Sequence, residues 1–378
     1  MTPLLAQRQR RGWSKSKLIA HLRQAARARG EALPDTESIA RNLARWENKG
    51  RGVSPLYQQL LCDVYECSPA ELGFIEAADA AEPELADELV TELARASSID
   101  GEVVKLLQAQ TDGIRQLDAL QGAQLIRDQM RLHIAHIEEL NRHAVRPGIR
   151  RMLAKVLADT SALAGWQALD VGTPREAWEH FERAKSAARE AEDPSLLAFA
   201  TAEQAYVLLD LGDEEQATEL VQHACRQSAG AVPALMETWL IAASAEMATA
   251  SRDADAAHRH LDQAADLLPA EPDDLLPYLV LSETHLARWR GNCLARLGDE
   301  DAIDELDKGL AAVTGTYARA EAGVRIDLAT ALLVHGERGP AEEHLRSAGI
   351  LVSRTGSLRQ KRRIQSLIGH INNASSES

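Results

Sequence analysis

The chain has few aromatic residues, few cysteines and no long hydrophobic run. Only 4% of its 378 residues are aromatic, and there are 4 cysteines. Their spacing matches neither a metal-binding motif nor a disulfide framework, which predicts reduced thiols in a cytoplasmic protein. No stretch approaches the roughly 20 apolar residues of a membrane span, and the basic N-terminus lacks the apolar run of a signal peptide. We therefore expect a cytoplasmic protein without membrane association.

Patterns typical of β-strands and of common active sites are also lacking. β-branched runs are scarce, no alternating apolar pattern persists, and Ala and Leu dominate, so the chain is predicted to be all-α. There is no phosphate-binding loop, GxSxG elbow, paired carboxylate motif or Cys/His arrangement. We expect neither an enzyme nor a cofactor.

The charge is unevenly distributed along the chain. The net charge is −15, but residues 1–51 hold 12 Lys or Arg against 4 acids, which leaves +8 on this segment and −23 on the rest. A basic segment attached to an acidic body is typical of a head that meets a polyanion.

The segment Leu33–Gly50 carries a helical pattern with two distinct faces. Pro34 with Asp35 or Thr36 predicts the helix start, and Gly50 predicts its end. One stripe is apolar: Ile39, Leu43 and Trp46. A second stripe holds side chains that can bond to base edges in DNA: Ser38, Arg41, Asn42 and Arg45. The alternative is an ordinary amphipathic helix with a solvated basic face.

Further basic residues are candidates for phosphate contacts. Ser14 predicts the N-cap of the preceding helix, whose first turn contains Lys15 and Lys17. Cations are unfavourable at that end of a helix dipole, unless a phosphate binds there with them. Lys49 and Arg51, after the second helix, are the other phosphate candidates.

These motifs resemble a known DNA-binding domain. RGWSKSKL, SIARNLARWENKGRG and SPLYQQLLCDVYECSPAELGF are similar to the lambda-repressor-like helix-turn-helix domain of the xenobiotic-response-element (XRE) family, in its actinobacterial form. The resemblance covers residues 1–75. It implies that the helix ending in Trp-Glu enters the major groove of a DNA operator, and that Lys15 contacts phosphate. One head reads half a site, so a homodimer is expected.

The connection between the two helices is longer than the usual turn. The run AHLRQAARARGEALPD carries Arg23, Arg27 and Arg29 on this extension. The two interpretations are a longer solvated helix and an additional contact with the DNA backbone.

Region 76–155 is predicted to be a helical linker region. Its helix Gln121–Ala144 places His133, His136 and Glu139 on one face. A metal site would need a third or fourth ligand from elsewhere, and no HExxH motif or Cys partner is present. We expect no metal there.

Residues 156–378 contain an internal repeat. An Ala-centred motif recurs at intervals of 40, 40, 45 and 39 residues, beginning at Ala177, Ala217, Ala257, Ala302 and Ala341. Each motif follows a turn residue: Gly172, Gly212, Arg252, Gly298 and Gly336. Each turn residue follows a small residue that would let two helices approach closely: Gly165, Ala205, Ala245, Gly291 and Ala329. The pattern resembles a tetratricopeptide array, and Leu358–Ile371 would cap it.

Stacked helix pairs form a superhelix whose concave face is lined by the first helix of each pair. The repeat pattern places a set of candidate ligand-binding residues there: Trp166, Asp170, Phe199, Tyr206, Asp210, Trp239, Glu246, His285, Arg288, Asn292 and Arg296. Aromatic residues with acids at one end and bases at the other suit an extended peptide or an amphipathic small molecule. The alternative is that they serve inter-repeat packing.

Together these patterns predict a transcription regulator that binds DNA through its head and senses a signal, or dimerises, through its repeats. The architecture is similar to the peptide-pheromone receptors of Gram-positive bacteria, which makes a signalling peptide the first ligand hypothesis. Those receptors hold peptide backbone with Asn side chains, and this set offers only Asn292. The alternative function is a protein-interaction scaffold tethered to DNA, for which the concave face would stay open rather than close around a ligand.

Overall fold

The structure is a computed structural model, and it describes residues 2–49, 52–74, 89–94, 97–270, 276, 278–279, 281–315 and 317–376. All regular secondary structure within these ranges is helical, as predicted. The chain forms two compact units, Met1–Glu92 and Leu93–Ser378. No helix in these described ranges is long and apolar enough to span a bilayer.

The described part of the first unit includes the helices α1 Pro3–Arg10, α2 Lys15–Ala28, α3 Thr36–Lys49 and α4 Pro55–Tyr65. Ser14 caps α2 by accepting a hydrogen bond from the Lys17 backbone N–H, as its sequence position predicts. The helices enclose one core that includes Leu18, Ile39 and Leu60, all fully buried. The apolar stripe of α3 packs into this core.

The second unit begins with α5 Gly101–Gln121, a short 3-10 turn, α6 Arg127–His143 and α7 Pro147–Asp170. The prediction of one helix over Gln121–Ala144 is wrong. Gly122 has a φ of 85°, outside the helical region, so the helix is interrupted there. A Cβ at Gly122 would lie 2.0 Å from the Thr355 carbonyl oxygen, so only glycine fits. The described helices of region 76–155 in this unit share one core with the array.

The remaining helices alternate along the array: α8 Pro174–Glu190, α9 Pro194–Leu211, α10 Glu214–Ser228, α11 Ala234–Ala250, α12 Ala254–Leu267, α13 Glu283–Leu297, α14 Ala302–Val313, α15 Ala318–Val334, α16 Arg338–Thr355 and α17 Leu358–Ser376. Packing is strongest within the pairs α7/α8, α9/α10, α11/α12, α13/α14 and α15/α16. These are the five predicted repeat units, followed by the predicted final helix.

The repeat signature marks the closest helix contacts. All five motif alanines are fully buried in the second helix of each pair. A Cβ at Gly165 would lie 2.8 Å from the Phe181 ring, and one at Gly291 would lie 2.5 Å from Leu306 Cγ. The small residues therefore permit the close approach that the sequence predicted.

The array returns on itself. The final helix α17 contacts α7, the first helix of the first pair, and α5 contacts α15 and α16. The Ser357 hydroxyl donates to Asp170 Oδ1 over 2.6 Å, and Arg359 Nε donates to Asp210 over 3.0 Å. Arg319 pairs with Asp118 at 2.5 Å. Contacts between residues far apart in sequence thus bound a half-open cavity on the concave face.

Candidate functional site

In the first unit, α3 separates an apolar face from a polar face. The predicted apolar residues are buried, with Trp46 donating its indole N–H to the Gly52 carbonyl over 3.1 Å. On the other face Arg41 and Arg45 are exposed, whereas Ser38 and Asn42 are half-buried. The four predicted base-reading residues therefore share one face that the core leaves accessible.

Local contacts already engage part of this face. The Ser38 hydroxyl donates to Asp35 Oδ2 over 2.9 Å, and the Ser38 backbone N–H donates to Asp35 Oδ1 at the same distance. These bonds close the first turn of α3. Arg41 lies 3.8 Å from Glu37, and its side chain remains 77% exposed. An exposed pair of this kind contributes little, so Arg41 is available for another partner.

The predicted phosphate contacts have different surroundings. Lys15 Nζ lies 3.9 Å from the buried carboxylate of Glu47, which also accepts a hydrogen bond from Arg8 over 2.9 Å. Lys17 lies 5.8 Å from the Trp13 ring centroid.

The structure describes the two basic phosphate candidates at the end of α3 and after it only in part. Lys49 ends α3, and its side chain lies outside the described part of the structure. Arg51 lies outside the described residues altogether. Their phosphate contacts stay predictions.

The long α2–α3 connection is held by its arginines. Arg23 donates to the Pro34 carbonyl over 2.8 Å, and Arg29 pairs with Asp63 on α4 at 2.7 Å. Arg27 is exposed. Two of the three arginines thus brace the turn that orients α3, a third alternative to solvation or DNA contact.

The second unit has a half-open cavity of about 480 Å³ on the concave face. Its lining comes from α7, α9, α11, α13, α15 and α17, that is, from the first helix of every pair and the final helix. Eight of the predicted ligand-binding residues line it: Trp166, Asp170, Tyr206, Trp239, Glu246, His285, Arg288 and Asn292.

Three predicted residues lie behind the lining. Phe199 packs in the core against Trp239 and Tyr278, with ring centroids 4.9 and 5.1 Å apart. Asp210 holds Arg359, which does line the cavity. Arg296 lies 3.9 Å from Glu246. All three support lining residues instead of reaching the cavity.

The sequence interpretation missed several lining residues: Glu203, Trp289, Arg319, Asp327, Arg359 and Arg363. A signal for three of them was present in the repeat. Glu203, Trp289 and Asp327 each stand two positions before the small residue of their unit. Arg359 and Arg363 carried no such signal, because α17 reaches the cavity only through the closure of the array.

Two buried acids organise the polar part of the cavity. Glu246 accepts hydrogen bonds from the Tyr206 hydroxyl over 2.8 Å and from the Trp289 indole N–H over 3.0 Å. Burial, followed by Glu246, raises the pKa of Tyr206 well above its usual value, so the phenol remains a donor. Asp327 accepts from Asn292 Nδ2 over 2.8 Å and also pairs with Arg363.

Aromatic rings form the apolar walls. Trp166 and Tyr206 meet edge to face at 5.6 Å, and Trp239 and Trp289 do so at 6.0 Å. The Arg359 guanidinium lies 5.3 Å from the Trp166 ring centroid. Hydrogen bonds, ion pairs and ring contacts lock these groups in place, which is the preformed geometry of a small-molecule site.

The two histidines of the candidate metal site on α6 lie in different environments. His133 is buried and lies 3.0 Å from the Thr111 hydroxyl, which in turn bonds to Thr160. His136 is exposed on another side of α6. Burial lowers the pKa of His133, so the ring is a neutral member of the core.

Comparison with known proteins gives matches only among solved structures. No family model matches the chain, and no curated protein matches it. The chain is similar to the Rap protein complexed with competence and sporulation factor (12% identity, TM-score 0.44, covering 93% of this chain and 97% of that one). It is also similar to Bacillus thuringiensis PlcR in complex with the peptide PapR7 and DNA (11%, 0.38, 93% and 99%). A third similar structure is the kinesin light chain TPR-like repeat protein of Podosopora anserina (17%, 0.34, 52% and 95%). With TM-scores below 0.5, these likenesses decide nothing about the function of this chain.

Proposed function

We propose that the protein is a DNA-binding transcription regulator whose first unit binds an operator and whose repeat unit senses a ligand. The observation that carries the proposal is the accessible basic face of α3. Arg41 and Arg45 are exposed there beside Asn42, on a segment of +8 in a chain of −15. Arg and Asn are the side chains best suited to bidentate bonds with guanine and adenine in the major groove.

The cavity on the concave face supports a ligand-sensing role for the second unit. Its volume is about 480 Å³, and α17 contributes to a lining of aromatic and charged residues. That volume lies within the range of small-molecule sites. We propose a peptide or small-molecule signal as its ligand, and a cytoplasmic homodimer as the form that binds a two-fold operator.

The DNA-binding part is tested by selecting bound sequences from a random duplex library with the purified full chain. The selected sequence is then measured against single variants. Arg41→Ala or Asn42→Ala should weaken binding by about 1–3 kcal/mol and relax the preference at one base pair. Lys17→Ala should weaken all sequences alike and reduce the slope of log K against log salt by about 1. Lys17 is a cleaner probe than Lys15, which also faces Glu47.

The matched control is Arg346→Ala, which removes an exposed arginine from α16 in the repeat unit. It should leave affinity and preference unchanged. The proposal fails if the full chain selects no sequence, or if Arg41→Ala binds the selected duplex with the affinity and preference of the wild type.

A further inference from the structure

Most charged groups that line the cavity have a hydrogen-bond or ion-pair partner within the protein. Asp170 accepts from Ser357, and Glu246 accepts from Tyr206 and Trp289. The remaining internal pairs are Asp327 with Arg363, Arg359 with Asp210, and Arg319 with Asp118. Each of these groups has at least one internal partner, although the Oδ2 atom of Asp170 is buried without a hydrogen bond.

Two charged lining residues are not paired in this way. Glu203 on α9 has neither a hydrogen bond nor an ion pair to any described residue. Arg288 on α13 also lacks an ion pair to the described residues, and its Nε is buried without a hydrogen-bond partner. Burial of an ionisable group without a partner costs free energy, and such groups cluster at functional sites.

The cavity lining also includes apolar side chains. Trp166, Tyr206, Trp239 and Trp289 form the aromatic walls, with Leu281 and Val324 beside them. The Arg359 guanidinium already occupies the Trp166 face. Glu203 is a lining acid without a hydrogen bond or ion pair to the described residues, and so it is available to a ligand cation. His285 contributes no charge, since burial lowers its pKa and its Nδ1 lies 2.7 Å from the Ser282 hydroxyl.

We propose that the cavity binds a small zwitterion with an apolar middle, whose cationic group pairs with Glu203 and whose anionic group pairs with Arg288. This inference rests on the proposed function only in taking the cavity as a ligand site. It adds the chemical class of the ligand and its direction in the cavity. The cationic end points to the second repeat unit and the anionic end to the fourth.

The proposal implies that binding releases a proton. Burial raises the pKa of Glu203 to about 8, against the opposing charges of Arg359 and Arg319 and with the help of Glu246. At neutral pH the empty cavity therefore holds this carboxyl mainly protonated. A ligand cation favours the carboxylate, so the proton leaves as the ion pair forms.

The experiment uses ω-amino carboxylates of increasing chain length as probes: aminohexanoate, aminooctanoate and aminododecanoate. Each is compared with the alkylamine and the fatty acid of the same length. Binding to the purified full chain is measured by calorimetry in two buffers of different ionisation enthalpy. One zwitterion should bind at least about tenfold more tightly than both of its single-charge analogues, because a charge-assisted hydrogen bond contributes roughly 1.5–3 kcal/mol. The two buffers should report net proton release.

Variants separate the two ends. Glu203→Gln should lose at least about tenfold in affinity for the zwitterion, lose the proton release, and keep wild-type affinity for the fatty acid. Arg288→Gln should show the reverse preference and keep affinity for the alkylamine. Glu215→Gln, an exposed acid on α10, should change neither affinity nor proton release.

Three outcomes would overturn the inference: no zwitterion binds, an end-capped neutral analogue binds as tightly as the zwitterion, or both variants bind it with wild-type affinity. Tight binding of the neutral analogue would leave the cavity a ligand site and reject only the charge assignment. DNA selection by the full chain is measured separately, so loss of the regulator proposal is distinguishable from loss of this one.

Discussion

The pKa of the Glu203 side chain is determined by its position in the fold. The residue is one of many acids in an acidic chain. Its repeat position indicates that it lines the concave face, but no local pattern shows which charges lie beside it. In the structure it is a lining carboxyl without a hydrogen bond or ion pair to a described residue. Arg359, Arg319 and Glu246 act on it electrostatically, and burial raises its pKa to about 8.

Stability should therefore depend on pH through Glu203. Its folded pKa lies above the unfolded value, so its contribution is fully present below about pH 4.3 and is lost as pH rises toward 8. The free energy of unfolding of the wild type should fall relative to Glu203→Gln with a slope of up to about 1.4 kcal/mol per pH unit. Urea denaturation of both proteins between pH 5 and 8 measures this. Parallel curves would contradict it.

Arg252 is the exception among the five repeat turns. It has a φ of 60°, in a position where the other four units have glycine. The left-handed region costs a non-glycine residue roughly 1–2 kcal/mol, and glycine returns about half of that through its greater unfolded-state entropy. Arg252→Gly should therefore raise the free energy of unfolding by up to about 1 kcal/mol.

The matched change is Gly212→Ala, which places a side chain at a φ of 80° and should lower stability by about 1 kcal/mol. Urea midpoints with an unchanged m-value provide the measurement. A loss of stability in Arg252→Gly would show that its side chain, and not its backbone, determines the turn.

At the scale of elements, helix pairs depend on contacts that admit no additional atom. Gly291 on α13 faces Leu306 on α14, and a Cβ there would lie 2.5 Å from Leu306 Cγ and 3.1 Å from its backbone nitrogen. Because the backbone is one of the neighbours, rotamer changes alone cannot make room.

Gly291→Ala should therefore lower the free energy of unfolding by about 1–3 kcal/mol despite the better helix propensity of alanine. Gly349→Ala is the control, since a Cβ at this position of α16 meets nothing within 4 Å. It should stabilise by up to about 1 kcal/mol. Equal effects of the two substitutions would contradict the packing explanation.

At the scale of the whole repeat unit, contacts between the two ends of the array bound the cavity on its concave face. These contacts join residues more than a hundred positions apart, such as Asp210 with Arg359 and Asp170 with Ser357. In a solenoid each unit normally contacts only its neighbours. Here the first and last helices also stabilise one another.

A double-mutant cycle on Asp210→Asn and Arg359→Gln tests this closure. The pair is about three-quarters buried, so its coupling energy should be about 0.5–3 kcal/mol. The same cycle on Arg175 and Glu179, an exposed pair within α8, should give about 0.5 kcal/mol or less. Strict additivity of Asp210→Asn and Arg359→Gln would mean that the ends of the array do not support each other.

Local patterning by itself determined the helical class, the five repeat units, the buried stripe of α3 and the lining role of eight cavity residues. Helix caps, the small residues at helix contacts and the 3.6-residue period are each encoded within a short segment. They can therefore be recognised in the sequence. Closure of the array, the pairing of Glu47 with Arg8 and Lys15, and the isolation of Glu203 and Arg288 were decided only by the tertiary structure. Each depends on which charged residues from distant parts of the sequence pack beside a given side chain. The periodicity of a single helix carries no information about such long-range contacts.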